Sequence, residues 1–268
     1  MGQNVPMPQP SLRIAGIEPL ALPEARQAVG RLHYYLRECI LDGRLPPETT
    51  LSQSALAKQL GVSRTPLREV LRMLQEEGLI ESEPNQRMRV AGFDAVELDM
   101  TYGSRIVLEC LAVAMTIGEF SAQKHRQAKA ALTTMRKTAR KRDVGAWFEA
   151  HTEFHGLLNS SAHEPLRTEL RSMAERSARY IRVGQQHDPS GWQKAGDLEH
   201  EAILEAFVQQ EKEAAVSLTA HHLERTAIRV LSDCAPSYVP KAVPLALLQI
   251  HAGRDSLEHT RPTLLAGA

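Results

Sequence analysis

Gly61-Val62-Ser63-Arg64-Thr65-Pro66-Leu67-Arg68-Glu69-Val70-Leu71, continuing through Arg72-Met73-Leu74-Gln75-Glu76-Glu77-Gly78-Leu79-Ile80, is the stretch on which the fold turns. Gly61 ends one helix, and Ser63 or Thr65 caps the next. Pro66 fits the first helical turn, where a missing N–H is no loss. Leu67, Val70, Leu71 and Leu74 recur at helical spacing and predict a buried face. Arg64, Arg68 and Arg72 stand four apart and share a second, cationic face near the helix start. Gly78 stops the helix.

The flanking residues extend the unit. Val29, Leu32, Leu36 and Ile40 form an amphipathic stripe that ends at Asp42-Gly43-Arg44-Leu45-Pro46-Pro47. Leu51, Leu56 and Leu60 predict a short second helix with Ser52 as its N-cap. Beyond Gly78, Leu79 to Glu83 and Met88 to Ala91 read as short strands, with Pro84-Asn85-Gln86-Arg87 as the turn between them. Three helices and a small hairpin make a winged helix-turn-helix, whose third helix reads base edges in double-stranded DNA. A helical hairpin with solvated arginines is the plainer reading of the same row.

Residues 28 to 92 closely resemble the DNA-binding domain of the GntR family of bacterial transcription regulators, through the run DGRLPP, LS, LA, LGVSRTPLREVLRML and EGLI. That resemblance implies DNA contacts from Arg64 and Arg68, with Arg64 the better candidate for a guanine edge. Thr65 and Pro66 would lie against the phosphate backbone. Two positions depart from the family. Gln53-Ser54 replaces its usual acid-arginine pair, and Arg87 stands where a wing-tip glycine is usual. The second change implies an arginine side chain in or near the minor groove, assisted by Arg89.

Composition sets the outer limits. A chain of 268 residues with 43% hydrophobic content predicts about two domains with real cores, and 4% aromatic content suits helices packed on aliphatic side chains. The formal net charge is zero, and residues 24 to 92 carry ten Lys/Arg against nine Asp/Glu. DNA binding must then come from locally placed arginines and from two copies of the module, a homodimer on a palindromic operator. Cys39, Cys110 and Cys234 are scattered, which fits a reducing cytoplasm. The most apolar stretch, Ile106 to Gly118, contains Glu109 and is short for a bilayer, and no cleavable signal is evident, so the expectation is a cytoplasmic protein without a membrane partner.

Residues 1–23 hold five prolines and read as a flexible arm, and residues 24–92 as the winged helix-turn-helix domain. Residues 94–234 read as an all-helical domain for metal and effector binding and for dimerisation, and 235–268 as a tail with one apolar patch at Val243 to Ile250. The fold class is mainly α, with the second domain an antiparallel bundle. Its helices are predicted over 94–119, 122–141, 144–161, 164–186, 193–209 and 212–233.

That second domain holds its chemistry in histidines. His151 and His155 lie on one helical face, and His200 and His222 fall on two later helices. An antiparallel bundle can gather all four around one divalent transition metal, zinc or nickel foremost. Polar or capping histidines on amphipathic helices are the plain alternative.

Residues 94 to 234 resemble the FCD effector-binding domain that accompanies this DNA-binding module in the FadR subfamily. Phe154-His155, Glu199-His200 and His222-Leu223 match three family histidine positions, and His151 replaces the family's aspartate. The resemblance implies that Arg105 faces an effector pocket and grips the carboxylate of a small metabolite in fork geometry. An ion pair of Arg105 with Glu109, one turn on, is the other reading of that residue.

Two rival functions follow from the same residues. A metalloenzyme could use the four histidines, yet in His151-Thr152-Glu153-Phe154-His155 the glutamate falls one place late for the H-E-x-x-H zinc protease pattern. A constitutive DNA-binding dimer with a structural metal is the other.

Overall fold

The computed structural model describes residues 14, 17–20, 25–41, 43–83, 87–187 and 189–260. It divides into two compact units, residues 1–92 and 93–268.

In the first unit α1 (Ala25–Leu41), α2 (Gln53–Leu60) and α3 (Arg64–Glu76) surround a small sheet of β1 (Thr50–Leu51), β2 (Ile80–Glu83) and β3 (Arg87–Val90). The strand order is β1-β3-β2, antiparallel throughout, with Leu51 opposite Met88 and Ile80 opposite Val90. Leu51, expected on the second helix, is therefore in a strand. Ser52 explains the change: its extended backbone ends β1, and its side chain accepts from Ala55 N–H to start α2. Gly61 closes α2 in the left-handed region at φ 71°, and Gly78 follows α3 at φ 69°. Ser63 is the N-cap residue of α3 by position, although its side chain makes no capping bond.

The expected stripe on α3 is buried. Leu67, Val70, Leu71 and Leu74 pack with Leu32, Leu36, Leu56 and Leu60 into one core. Each such leucine contributes about 1.5–3 kcal/mol by leaving water. Part of the expected arm joins this core: Ile17 is buried, Gln59 Nε2 donates to the carbonyls of Ile14 and Ile17, and Leu20 N–H donates to Leu60 O. The rest of the arm, and the wing turn at 84–86, lie outside the described residues.

The second unit is helical: α4 (Ala95–Thr116, continued by a 3-10 turn at Ile117–Glu119), α5 (Ala122–Lys141), α6 (Val144–Leu158), α7 (Leu166–His187), α8 (Pro189–Val208), α9 (Lys212–Cys234) and α10 (Ala242–Thr260). Capping fixes the starts. Asp94 accepts from Val96 and Glu97 N–H, Ser121 from Lys124 N–H, and Asp143 from Ala146 N–H. Central α4 packs against α6, α7, α9 and α10. With its 3-10 extension it runs 25 residues and is apolar enough by length and composition to cross a membrane, longer than the apolar stretch singled out in the sequence. Its inner face instead carries the buried Asp99, Arg105 and Glu109, which makes it the core helix of this bundle.

The segment read as a tail forms α10. Val243 and Ala246 are buried in the same cluster as Leu98, Tyr102 and Ile106 of α4. The contact is close at Gly103, where a Cβ would stand 2.8 Å from the Cβ of Ala242.

Candidate functional site

In the first unit α3 presents Arg64, Thr65 and Arg68 to solvent, while Pro66 is half-buried in the first turn. Arg72, the third residue of the cationic row, is occupied by an ion pair with Glu76 one turn on. Arg87 is exposed at the start of β3. Arg89, expected to assist it, sits between Glu48 and Glu81 and ties β3 to its neighbours. Of the arginines expected to meet DNA, Arg64, Arg68 and Arg87 are exposed, and Arg89 is tied to Glu48 and Glu81.

In the second unit His151 and His155 come from α6, His200 from α8 and His222 from α9. One ligand nitrogen from each lies within 4.8 Å of all the others. His155, His200 and His222 are buried, and His151 is half-buried with its ring stacked 4.8 Å from that of Trp147. The Nε2 atoms of His155 and His200 approach to 3.4 Å. Burial, followed by the neighbouring cationic and imidazole groups, holds His151, His155 and His200 well below the ordinary imidazole pKa. These rings are neutral near pH 7, the state that binds metal.

The chain also supplies outer partners. His222 Nδ1 stands 2.7 Å from Glu199 Oε2, and Arg225 Nη2 donates to the same oxygen at 2.7 Å. Nδ1–H donation to the carboxylate leaves the Nε2 lone pair of His222 free. His155 Nδ1 lies 3.8 Å from Glu109 Oε2. His200 Nδ1 is buried without a partner among the described residues. Its other nitrogen meets the imidazole of His155, so the ring keeps unmet bonding capacity at Nδ1. Nitrogens around one ion at bonds of about 2.0–2.1 Å stand roughly 3–4 Å apart, as those of His155 and His200 already do. The donor set therefore fits a divalent transition metal.

Arg105 forms the expected ion pair with Glu109 and also borders open space. Its Nε donates to Glu109 Oε1 at 2.7 Å, and its guanidinium carbon lies 4.9 Å from the Tyr102 ring centroid. Burial opposes its charge, yet Glu109 and then Tyr102 outweigh burial and raise its pKa further. The same side chain lines two cavities beside the histidines. A small one is bounded by Trp147, His151, His200 and His222, and one of about 370 Å³ lies among α4, α6 and α7. Glu153 is exposed on α6 while His155 is buried, and both border the larger cavity.

Sequence reasoning did not single out Glu199 and Arg225 as outer partners. The adjacency of Glu199 to His200 was the available signal. Trp147, one turn before His151, was likewise passed over.

Comparison with known proteins agrees with both halves. Residues 29–90 match the family of bacterial regulatory proteins named gntR, and residues 100–225 match the FCD domain. The chain is similar to an uncharacterized HTH-type transcriptional regulator, YdhC, of Bacillus subtilis, at 28% identity over 69% of this chain and 83% of that protein. It is 31% identical to a probable D-xylose utilization operon transcriptional repressor of Paenarthrobacter nicotinovorans, over 43% of this chain and 51% of the other. Among solved structures, McbR/YncC of E. coli superposes with a TM-score of 0.65 at 20% identity, covering 76% of this chain and 97% of that one. A putative GntR regulator from Rhodococcus sp. RHA1 gives 0.63 at 24% identity, covering 79% and 99%. At these identities the superpositions speak for the fold.

Proposed function

This chain belongs to the GntR family of bacterial regulatory proteins and carries an FCD domain, and from that membership we propose a metal-dependent sensor of a small organic acid that controls transcription. Its relatives are transcription regulators, and it is a regulator rather than an enzyme. The finer assignment to the FadR subfamily is part of the proposal and rests on the FCD domain.

Two subunits bind a palindromic operator in the cytoplasm, each placing α3 in a major groove with Arg64 and Arg68 toward the bases. Thr65 and Pro66 lie along the phosphate backbone, and Arg87 reaches from the wing. The exposed Val96, Met100, Leu111 and Met115 along α4 supply an apolar face that supports self-association.

His151, His155, His200 and His222 would hold the metal, zinc or nickel, which when bound supplies a Lewis-acidic anchor for a carboxylate. Arg105 keeps its charge beside that centre and turns a carboxylate toward it through nitrogens other than Nε. Glu109 bonds Arg105 and stands 3.8 Å from His155 Nδ1, so one buried carboxylate lies between the two anchors. An acid that prefers one arrangement of these groups shifts the population, and each tenfold preference is worth about 1.4 kcal/mol in operator affinity.

The observation that carries this reading is the cluster of four imidazoles beside a cavity lined by a buried, charged arginine. The test is operator binding by the full-length protein with and without zinc or nickel and a panel of short organic acids. A change in affinity that disappears in His155→Ala and Arg105→Gln supports the sensor. Unchanged affinity under every condition favours the constitutive dimer.

A further inference from the structure

The larger cavity is unlike at its two ends. His151, His155 and the Arg105–Glu109 pair line it together with Arg167 and Arg171, which lie near the start of α7 and at least ten residues before Ile181. Ile181, Ala178 and Ala174 of α7 line the space between them, opposite Phe148 of α6. The distance follows from helix geometry. At 1.5 Å per residue, the ten residues from Ile181 back to Arg171 place the outer arginines roughly 15 Å along α7 from the level of the histidines. Arginine side chains shorten the span that a ligand must bridge.

The outer end is polar in its own right. Arg167 and Arg171 are exposed and one turn apart on the same face of α7. Neither forms an ion pair among the described residues. Asn159 and Ser160, at the end of α6, also line the cavity, and their Oδ1 and Oγ atoms are buried without partners among the described residues. An amide flip lets Asn159 present either a donor or an acceptor. Glu153 also lines the cavity, and the exposed Glu164 lies near both arginines, its pKa lowered by its bonds to Thr168 and then by Arg167 and Arg171. The two arginines thus meet two carboxylates outside the Arg105–Glu109 pair. The four imidazoles add no negative charge, and a bound cation would leave the inner end positive.

We propose that this cavity binds a linear dicarboxylate, with one carboxylate at the Arg105 and histidine end, an apolar chain along α7, and the second carboxylate at Arg167 and Arg171. This rests on the acid-sensing reading above and adds the ligand class and its outer subsite. A fork of two arginines recognises a carboxylate through charge-assisted hydrogen bonds, which are stronger than neutral ones. A monocarboxylate with an apolar tail fills the same middle but leaves both arginines unused.

The test is calorimetric titration of full-length protein, with and without one equivalent of zinc. The probes are succinate, adipate and suberate against butyrate, hexanoate and octanoate. The expected result is a diacid that binds about tenfold tighter than the monoacid of equal length, the scale of one charge-assisted contact. In R167Q/R171Q the diacid should fall to the monoacid's affinity while the monoacid is unchanged. Equal binding of diacids and monoacids to the native protein, or a preference that survives R167Q/R171Q, overturns the outer subsite and leaves the acid sensor standing. Binding of neither series overturns both.

Discussion

His222 Nδ1 and Glu199 Oε2 lie 2.7 Å apart, and Arg225 Nη2 donates to the same oxygen. The carboxylate is held below its ordinary pKa: burial opposes ionisation, but the bonds from His222 and Arg225 outweigh it. It therefore stays charged and keeps His222 in one tautomer. Glu199→Gln should weaken zinc or nickel binding by about 10–100-fold, the usual effect of losing an outer partner. Competition with a chromogenic chelator measures this. Unchanged affinity would remove Glu199 from the metal site.

The two arginines of the α3 row that look alike in sequence should behave differently. Arg64 is exposed at the first helical position, whereas Arg72 is paired with Glu76. Arg64→Ala should cost roughly 1–3 kcal/mol on the operator and relax preference at one base pair of each half-site. Arg72→Ala should change little, because an exposed i,i+4 pair contributes only about 0.3–0.5 kcal/mol. Titration against the operator and a scrambled duplex separates the cases. Equal losses on both sequences would make Arg64 a phosphate contact.

What the sequence disclosed followed the range of the interaction. Helices α4 to α9 were legible because their caps and periodic faces are local, and His151 and His155 were legible because four residues separate them on one helix. Leu51 misled because periodicity alone does not separate a strand that runs into a capping serine from the helix behind it. Arg89 gave no sign of its partners: Glu48 lies 41 residues away, and only the β-sheet brings it close. The wide cavity was invisible for the same reason, since it depends on how far α6 stands from α7. Helix α10 was hidden by Pro236, Pro240 and Pro244, which break the local pattern, and by a tertiary cap from far upstream.

Acid should destabilise the metal-free protein earlier than its carboxylates alone would. Burial and adjacent groups depress the pKa of His151, His155 and His200 in the folded chain, whereas the unfolded chain titrates near 6.5. Between the depressed values and about 6.5 the unfolded state binds more protons, so stability rises with pH across that window and is flat above it. Thermal unfolding of chelator-treated protein should show a lower Tm at pH 5.5 than at pH 7.5, both about one unit from the reference value. His200→Gln should make the slope shallower. The same slope in the variant would place the titration elsewhere.

Asp99 should be the clasp of the second unit. Its carboxylate accepts from the N–H groups of Lys241, Ala242 and Val243 and from Tyr238 Oη, at 2.7 to 3.0 Å, so a side chain of α4 caps the N-terminus of α10. Burial opposes its ionisation, but these bonds more than compensate and lower its pKa. Its stabilising effect is therefore present above about pH 3.9, the unfolded value, and is lost as pH falls through the lower folded value. Asp99→Ala should destabilise the unit by about 2 kcal/mol, the scale of hydrogen bonds to a charged group. Gly103→Ala should act in the same direction, because its new Cβ would sit 2.8 Å from Ala242 Cβ and 2.9 Å from the Ala242 carbonyl carbon. Both variants should show a lower Tm and faster proteolysis between residues 235 and 241 while the first unit keeps its operator contacts. Native protease resistance in both would mean that α10 is held by its apolar face alone.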